Sequence, residues 1–195
     1  MSILDPWNAL FAVAFVIYVV IRGRFASQTR NNENVVRRVD GMEKLLLAGV
    51  FLTSLLLPVL YLVTPWLSFA DYEIPAWVRG CGVVVMICAL WLFWRSHSDL
   101  GLNWSATLEI RKNHTLVTDG VYRWIRHPMY VAIFLVCLAQ GLMLDNWLAG
   151  WAAFVAFACL YIRRAPLEEQ MMIEQFGDQY ETYRRKTGRL IPKIF

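Results

Sequence analysis

Charge is what this chain has least of. Asp, Glu, Lys and Arg make up 17% of its 195 residues, against about a quarter in an ordinary soluble domain. With 58% hydrophobic residues and a mean hydropathy of +0.43, that shortfall excludes a soluble globule and points to a bilayer as solvent. Basic residues are missing ahead of the first apolar run, and no small-x-small site follows it. The N-terminus therefore does not read as a cleaved signal, and the run is expected to be a retained helix. The four cysteines, Cys81, Cys88, Cys137 and Cys159, form no CxxC pair and keep no ligand spacing with a histidine. They read as small buried hydrophobes, which argues against disulfides and against any metal site. No repeat, low-complexity tract or linker interrupts the chain, so residues 1–195 are expected to form one domain.

What is present is apolar sequence in five blocks: residues 6–21, 45–63, 77–94, 129–144 and 147–162. The expected fold is all-α and membrane-embedded, with five transmembrane helices. Pro58 is expected to kink the second helix, and Pro166 to kink or restart the chain after the fifth. Only Asp145-Asn146 separates the last two blocks, which predicts a helical hairpin. Each is roughly 16 residues, somewhat short of the ~20 that span a bilayer comfortably. Trp7, Trp66, Trp77 and Trp147 sit near block ends, where amphipathic rings favour the headgroup boundary.

The basic residues fix the orientation. Loops 22–44 and 95–126 and the tail from Arg163 hold all of the lysines and arginines except Arg79. By the positive-inside rule these three regions face the cytoplasm and the N-terminus lies outside. The net charge of +4 is then a topology signal, with some attraction to anionic lipid, and not a sign of nucleic-acid binding.

Two cytoplasmic segments hold the chemistry. Thr107 to Arg111 alternates like a short extended piece. Thr118-Asp-Gly is expected to cap a helical turn over 121–125, and Pro128 suits the first position of the fourth helix, with His127 as its N-cap. The tail over 167–186 reads as an interfacial helix, with Met172, Phe176, Tyr180 and Tyr183 at helical spacing and Gly177 weakening its middle. Each ionisable cluster has an ordinary explanation. His127 could simply cap, Arg163-Arg164 could be a stop-transfer pair, and Glu168-Glu169 could answer a helix dipole. Spacing favours more. Arg164 and Glu168, at i and i+4, share a face if the helix runs through Pro166. The hairpin brings His127 and Arg164 to its open ends, within reach of one pocket. Ionisable groups at a membrane boundary are functional candidates by default.

Three motifs in order carry a resemblance: His114-Thr-Leu-Val-Thr-Asp-Gly-Val-Tyr122, Arg126-His-Pro-Met-Tyr130, and Arg164 with Glu168-Glu169 followed by Phe176-Gly-Asp-Gln-Tyr180. Over residues 95–195 the chain resembles the isoprenylcysteine carboxyl methyltransferase family. That family belongs to a wider group of integral-membrane methyltransferases that includes phospholipid N-methyltransferases. The first three helices match in layout only, and the additional N-terminal helices of eukaryotic members are not seen, so the chain is similar to a compact prokaryotic form in a cell membrane.

The resemblance implies S-adenosylmethionine as methyl donor, bound at the cytoplasmic face without a Rossmann domain; in keeping with this, no G-x-G-x-x-G follows a strand. Carried over by position, the cofactor contacts would be His114, Thr115, Leu116, Val117, Tyr122, His127, Pro128, Met129 and Tyr130. Glu168 would take the cationic amino group, and Glu109 would add a contact from the preceding loop. Arg164 would hold the carboxylate of an isoprenyl-thioether substrate whose tail stays in lipid. Arg164 and Glu168 are thus the expected catalytic pair within region 99–195. An ionised carboxylate needs orientation and desolvation but no general base. Phospholipid N-methylation, S-methylation of a small thiol and a non-enzymatic membrane role remain as alternatives.

Overall fold

The computed structural model describes residues 5–29, 34–37, 40–105, 109–111 and 115–193. Its frame is helical. α1 covers Pro6–Thr29, α2 Gly41–Phe51, α3 Leu57–Val63, α4 Ala76–Leu100, α5 Pro128–Met143, α6 Trp147–Phe176 and α7 Asp178–Lys186. A small antiparallel ribbon joins β1 (Asn34–Arg37) to β2 (Glu109–Arg111), so the extended piece expected near Arg111 pairs with the loop after α1. α5 lies against α4 and α6; α1 packs on α4 and α5, whereas α2 packs on α6.

Four helical stretches are long and apolar enough to cross a membrane: Pro6–Gln28, Gly41–Val63, Ala76–Asn103 and Trp147–Phe176. Pro128–Met143, the expected fourth crossing, is shorter. Their outward faces are apolar, as lipid contact requires: Val13, Val16, Val20, Ile87 and Val155 are all exposed, and so are Trp66, Trp77 and Trp147 near helix ends. Cys81, Cys88 and Cys159 are exposed on these faces too, and only Cys137 is buried. The expectation of four buried cysteines holds for one, because in a lipid-facing bundle an apolar block does not imply an inward position.

Pro58 and Pro166 both lie within helical structure that continues past them. Before Pro58 the helix widens into a π-helical segment, Leu52–Leu56. There the Thr53 hydroxyl donates to the Gly49 carbonyl at 2.8 Å and that of Ser54 to the Val50 carbonyl at 2.6 Å. The wider turn makes room for the proline ring, and α2, the π segment and α3 follow one another without a break. Pro166 neither breaks nor restarts α6, which continues for 30 residues. Its ring sits on an exposed face, while Arg164, Ala165 and Glu169 around it are buried. Contacts on that inner face offset the lost ladder bond, which costs about 3 kcal/mol in an isolated helix. The tail helix divides: Gly177, at φ +52°, ends α6 and starts α7.

At one end of the bundle the turn between α5 and α6 is fixed by side chains. Asn146 caps α6 through the amides of Leu148 and Ala149 and donates to the Leu67 carbonyl at 2.6 Å. Arg79, the one cation outside the basic regions, donates to Asp5 at 3.1 Å and pairs with Asp145, which also accepts from the Tyr61 hydroxyl at 2.5 Å.

Candidate active site

At the other end, the loop after α4 is shaped by two polar anchors. Asp99 accepts from the Val121 amide at 2.9 Å and from Arg95 at 2.8 Å. The turn over Gly120–Arg123 is a 3₁₀ helix with Asp119 at its N-cap and no side-chain cap bond. The cap expected from Thr118-Asp-Gly therefore comes from Asp99. Gly120 is required there: its φ is +62°, and a Cβ would stand 2.0 Å from an Asp99 carboxylate oxygen. Asn103 exchanges two bonds with Thr115, at 3.1 and 3.0 Å, which lays the Thr115–Val117 backbone alongside the end of α4.

The second motif is held by the tail. Arg126 and His127 donate their amides to the Gly188 and Arg189 carbonyls at 2.9 and 3.1 Å. Glu169, buried on α6, accepts from Arg126 Nε at 3.0 Å, from Arg189 Nη2 at 2.6 Å, and meets His127 Nε2 at 3.2 Å. The bond to Glu169 also raises the pKa of Arg189 above its ordinary value. Tyr183 closes the wrap by donating to the Tyr122 carbonyl at 2.7 Å. Burial pushes the Tyr122 hydroxyl far above its ordinary pKa, so it stays a neutral donor.

Between these parts lies a cavity of about 510 Å³, within the range typical of small-molecule sites. Thr115, Leu116, Val117, Tyr122, His127, Met129, Tyr130, Arg164 and Glu168 all line it. Pro128 starts α5 as expected but is fully buried beside the cavity, outside its wall. His114 lies outside the described residues, as does the side chain of Glu109, whose backbone belongs to β2. Within the wall the Tyr130 hydroxyl donates to Glu168 at 2.6 Å. Trp104 donates its indole N–H to Met129 Sδ at 3.2 Å, and the Arg22 guanidinium lies 5.5 Å from the Trp104 ring centroid.

The cavity continues past this polar end. Phe15, Tyr18 and Val19 of α1 form one wall; Leu47, Val50 and Phe51 of α2 with Leu55 of the π segment form another. Phe157 and Leu160 of α6 close its floor. These apolar side chains thus share one chamber with the charged groups of Arg22, Arg126, Arg164 and Glu168.

Several residues of the site were not expected from sequence. Asp40 and Glu43, at the start of α2, meet Arg163 and Arg164 of α6. Asp40 pairs with Arg163 at the surface, while Glu43 Oε1 lies 3.6 Å from Arg164 Nη1 with both side chains buried. Asp40 caps α2 by accepting from the Glu43 amide at 2.8 Å. That Asp-x-x-Glu spacing gives a helix-start pattern, so the sequence offers no hint that Glu43 turns toward a distant arginine. Asn103 and Trp104 carried no signal either.

With this geometry in hand, likeness to known proteins can be read against it. A family model described as phospholipid methyltransferase matches residues 77–179. The chain belongs to that family. Four membrane-length helices accordingly make it a multi-pass integral membrane protein. Among relatives, it is 37% identical over 83 residues to the protein-S-isoprenylcysteine O-methyltransferase of Schizosaccharomyces pombe, covering 43% of this chain and 35% of that one. To its Tribolium castaneum counterpart it is 32% identical over 141 residues, 68% of this chain and 50% of the relative. To the human one it is 26% identical over 172 residues, 84% and 61% respectively. The chain thus matches about a third to three-fifths of these relatives' lengths. In three dimensions it resembles the eukaryotic intramembrane Ras methyltransferase ICMT, with a TM-score of 0.63, 24% identity, and coverage of 98% of this chain and 69% of the other. That likeness is one of fold.

Proposed function

We propose that this protein transfers a methyl group from S-adenosylmethionine to the carboxylate of an isoprenylated cysteine, or of a similar lipid-linked acid, at the cytoplasmic membrane face. The observation that carries this reading is one cavity lined both by Arg164 and Glu168 and by apolar side chains of α1, α2 and α6. The names of the isoprenylcysteine O-methyltransferase relatives support it. In this reading residues 1–195 act as one domain. α5 makes a thin fifth crossing of about 24 Å at 1.5 Å per residue, and the basic Arg164 end lies in the cytoplasm with the N-terminus outside.

The residues present fit the donor. When bound, S-adenosylmethionine supplies a sulfonium-borne methyl group, which a carboxylate oxygen takes by in-line displacement. Glu168, lining the cavity and oriented by Tyr130, would meet the donor's ammonium with a charge-assisted bond. The Thr115–Val117 backbone and Tyr122 would border the nucleoside, and His127, fixed by Glu169, would shape the wall between. Glu109 and His114 would extend the same contact set. Arg164 would orient the acceptor carboxylate while the isoprenoid tail lies in the apolar chamber. No side chain has to remove a proton, because such a carboxyl group, with an ordinary pKa of about 3.5, is already ionised at neutral pH.

The family model's description brings phospholipid N-methylation forward as a second reading. An amine acceptor, with a pKa near 10, would need a base and would bring its own positive charge toward Arg164. Labelled-methyl transfer in reconstituted membranes, comparing N-acetyl-S-farnesylcysteine, phosphatidylethanolamine and a simple thiol, separates the alternatives. We expect label in the farnesylcysteine acid, with a rate nearly independent of pH between about 6 and 9. Label in phosphatidylethanolamine alone, rising with pH, would install the second reading. Label in none of the three, without cofactor binding, would reject both.

A further inference from the structure

Glu43 is a buried acid beside Arg164 that the proposed chemistry has not used. It stands at the third position of α2, is 3% exposed, and lies 3.6 Å from Arg164 Nη1. It is not part of the cavity wall, whereas Arg164 is. A molecule in the cavity therefore meets Glu43 only through the guanidinium. The separation matters. A tight charge-assisted pair closes to about 2.7–2.9 Å, and the Glu43–Arg164 contact is longer than that. Glu168, the other carboxylate near Arg164, is taken up by Tyr130.

We propose that Glu43 is a positioning residue that shares the Arg164 guanidinium with the acceptor's carboxylate, and so sets how tightly that carboxylate is held and how reactive it stays. This rests on the methyl-transfer reading above. A lone buried guanidinium would bind an anionic acceptor strongly in the ground state, and would draw charge from the oxygen that must attack. Binding that favours the ground state raises the barrier. Glu43, by dividing the cation's field, leaves the acceptor oriented but nucleophilic. Its place at the start of α2 also ties that field to the helix forming one wall of the apolar chamber.

The test uses the full chain in phosphatidylcholine nanodiscs, with Glu43→Gln, Glu43→Asp and Arg164→Gln. Affinities for N-acetyl-S-farnesylcysteine and for its methyl ester are measured alongside kcat and the affinity for S-adenosylhomocysteine. Wild type should prefer the acid, and Arg164→Gln should abolish that preference. Glu43→Gln should tighten the acid at least about fivefold and lower kcat about tenfold or more. Ester and S-adenosylhomocysteine affinities should stay unchanged. Glu43→Asp should move both quantities the same way by less, and it decides the matter if the glutamine variant does not fold. Weaker acid binding in Glu43→Asp, equal shifts for acid and ester, or no shift in either overturns the proposal. A wild type that transfers no methyl group rejects the methyl-transfer reading alone. The acid-against-ester comparison still decides Glu43, since no preference in wild type, or none altered by its variants, overturns its role.

Discussion

Arg79 and Arg164 sit at opposite ends of the same bundle and are almost equally buried, at 7% and 8% exposure. Each faces a carboxylate from another helix or turn. Arg79 is clasped by Asp5 and Asp145 together, and Asp145 is further held by Tyr61. None of those four groups lines the cavity. Arg164 faces Glu43 at 3.6 Å and opens onto 510 Å³ of space that Glu168 and Tyr130 share. Burial and charge are alike, so neither separates a lock from a site. Tightness of the resident pair and access to a chamber do. A cation enclosed by its own chain fixes the turn between α5 and α6; one that lines a cavity is, in the proposed reading, the group that meets an anion from outside.

Substitutions should pull the two ends apart. The largest effect is expected for Arg164→Ala, which should lower methyl transfer by about 10²–10³-fold while cofactor affinity, read by calorimetry, stays nearly constant. Arg79→Ala should leave the half-buried Asp145 without its cation and cost about 1–3 kcal/mol of stability, read as an earlier unfolding midpoint, with activity per folded molecule retained. Glu168→Ala should do the reverse of Arg164→Ala, weakening the cofactor by about 10–100-fold with a smaller loss at saturating donor. Gly120→Ala should force the Asp99 carboxylate away and loosen the Thr115–Tyr122 segment, seen as a severalfold weaker cofactor affinity with acceptor affinity unchanged. Least is expected of Arg163→Ala. Its pair with Asp40 is at the surface, and such pairs contribute below about 1 kcal/mol.

The contrast also explains what the sequence could tell. Arg164 and Glu168 were legible because i and i+4 on a helix that outlasts its apolar block put them on one face. The short connection between α5 and α6 was legible because Asp145-Asn146 interrupts the apolar sequence there. What Glu169 does was not legible: adjacent helical positions differ by about 100°, so it turns away from the face of Glu168, and packing of the tail decides what it meets. Glu169 proves to be the buried hub for Arg126, His127 and Arg189. Glu43 was hidden because a capping pattern already accounts for it. The Asp99 anchor joins residues 22 positions apart, and nothing local encodes such a bond. Pro166 misled as a restart: a proline announces a missing donor, but a well-packed inner face can absorb it.

The most direct measurement is labelled-methyl transfer to N-acetyl-S-farnesylcysteine by Arg164→Ala and Arg79→Ala, at matched folded concentration in nanodiscs, with S-adenosylhomocysteine affinity measured on the same samples. We expect transfer to collapse in Arg164→Ala and to survive in Arg79→Ala, with both variants binding S-adenosylhomocysteine like the wild type. Equal loss of transfer in the two, or full transfer without Arg164, would contradict the assignment of the Arg164 end as the acceptor site.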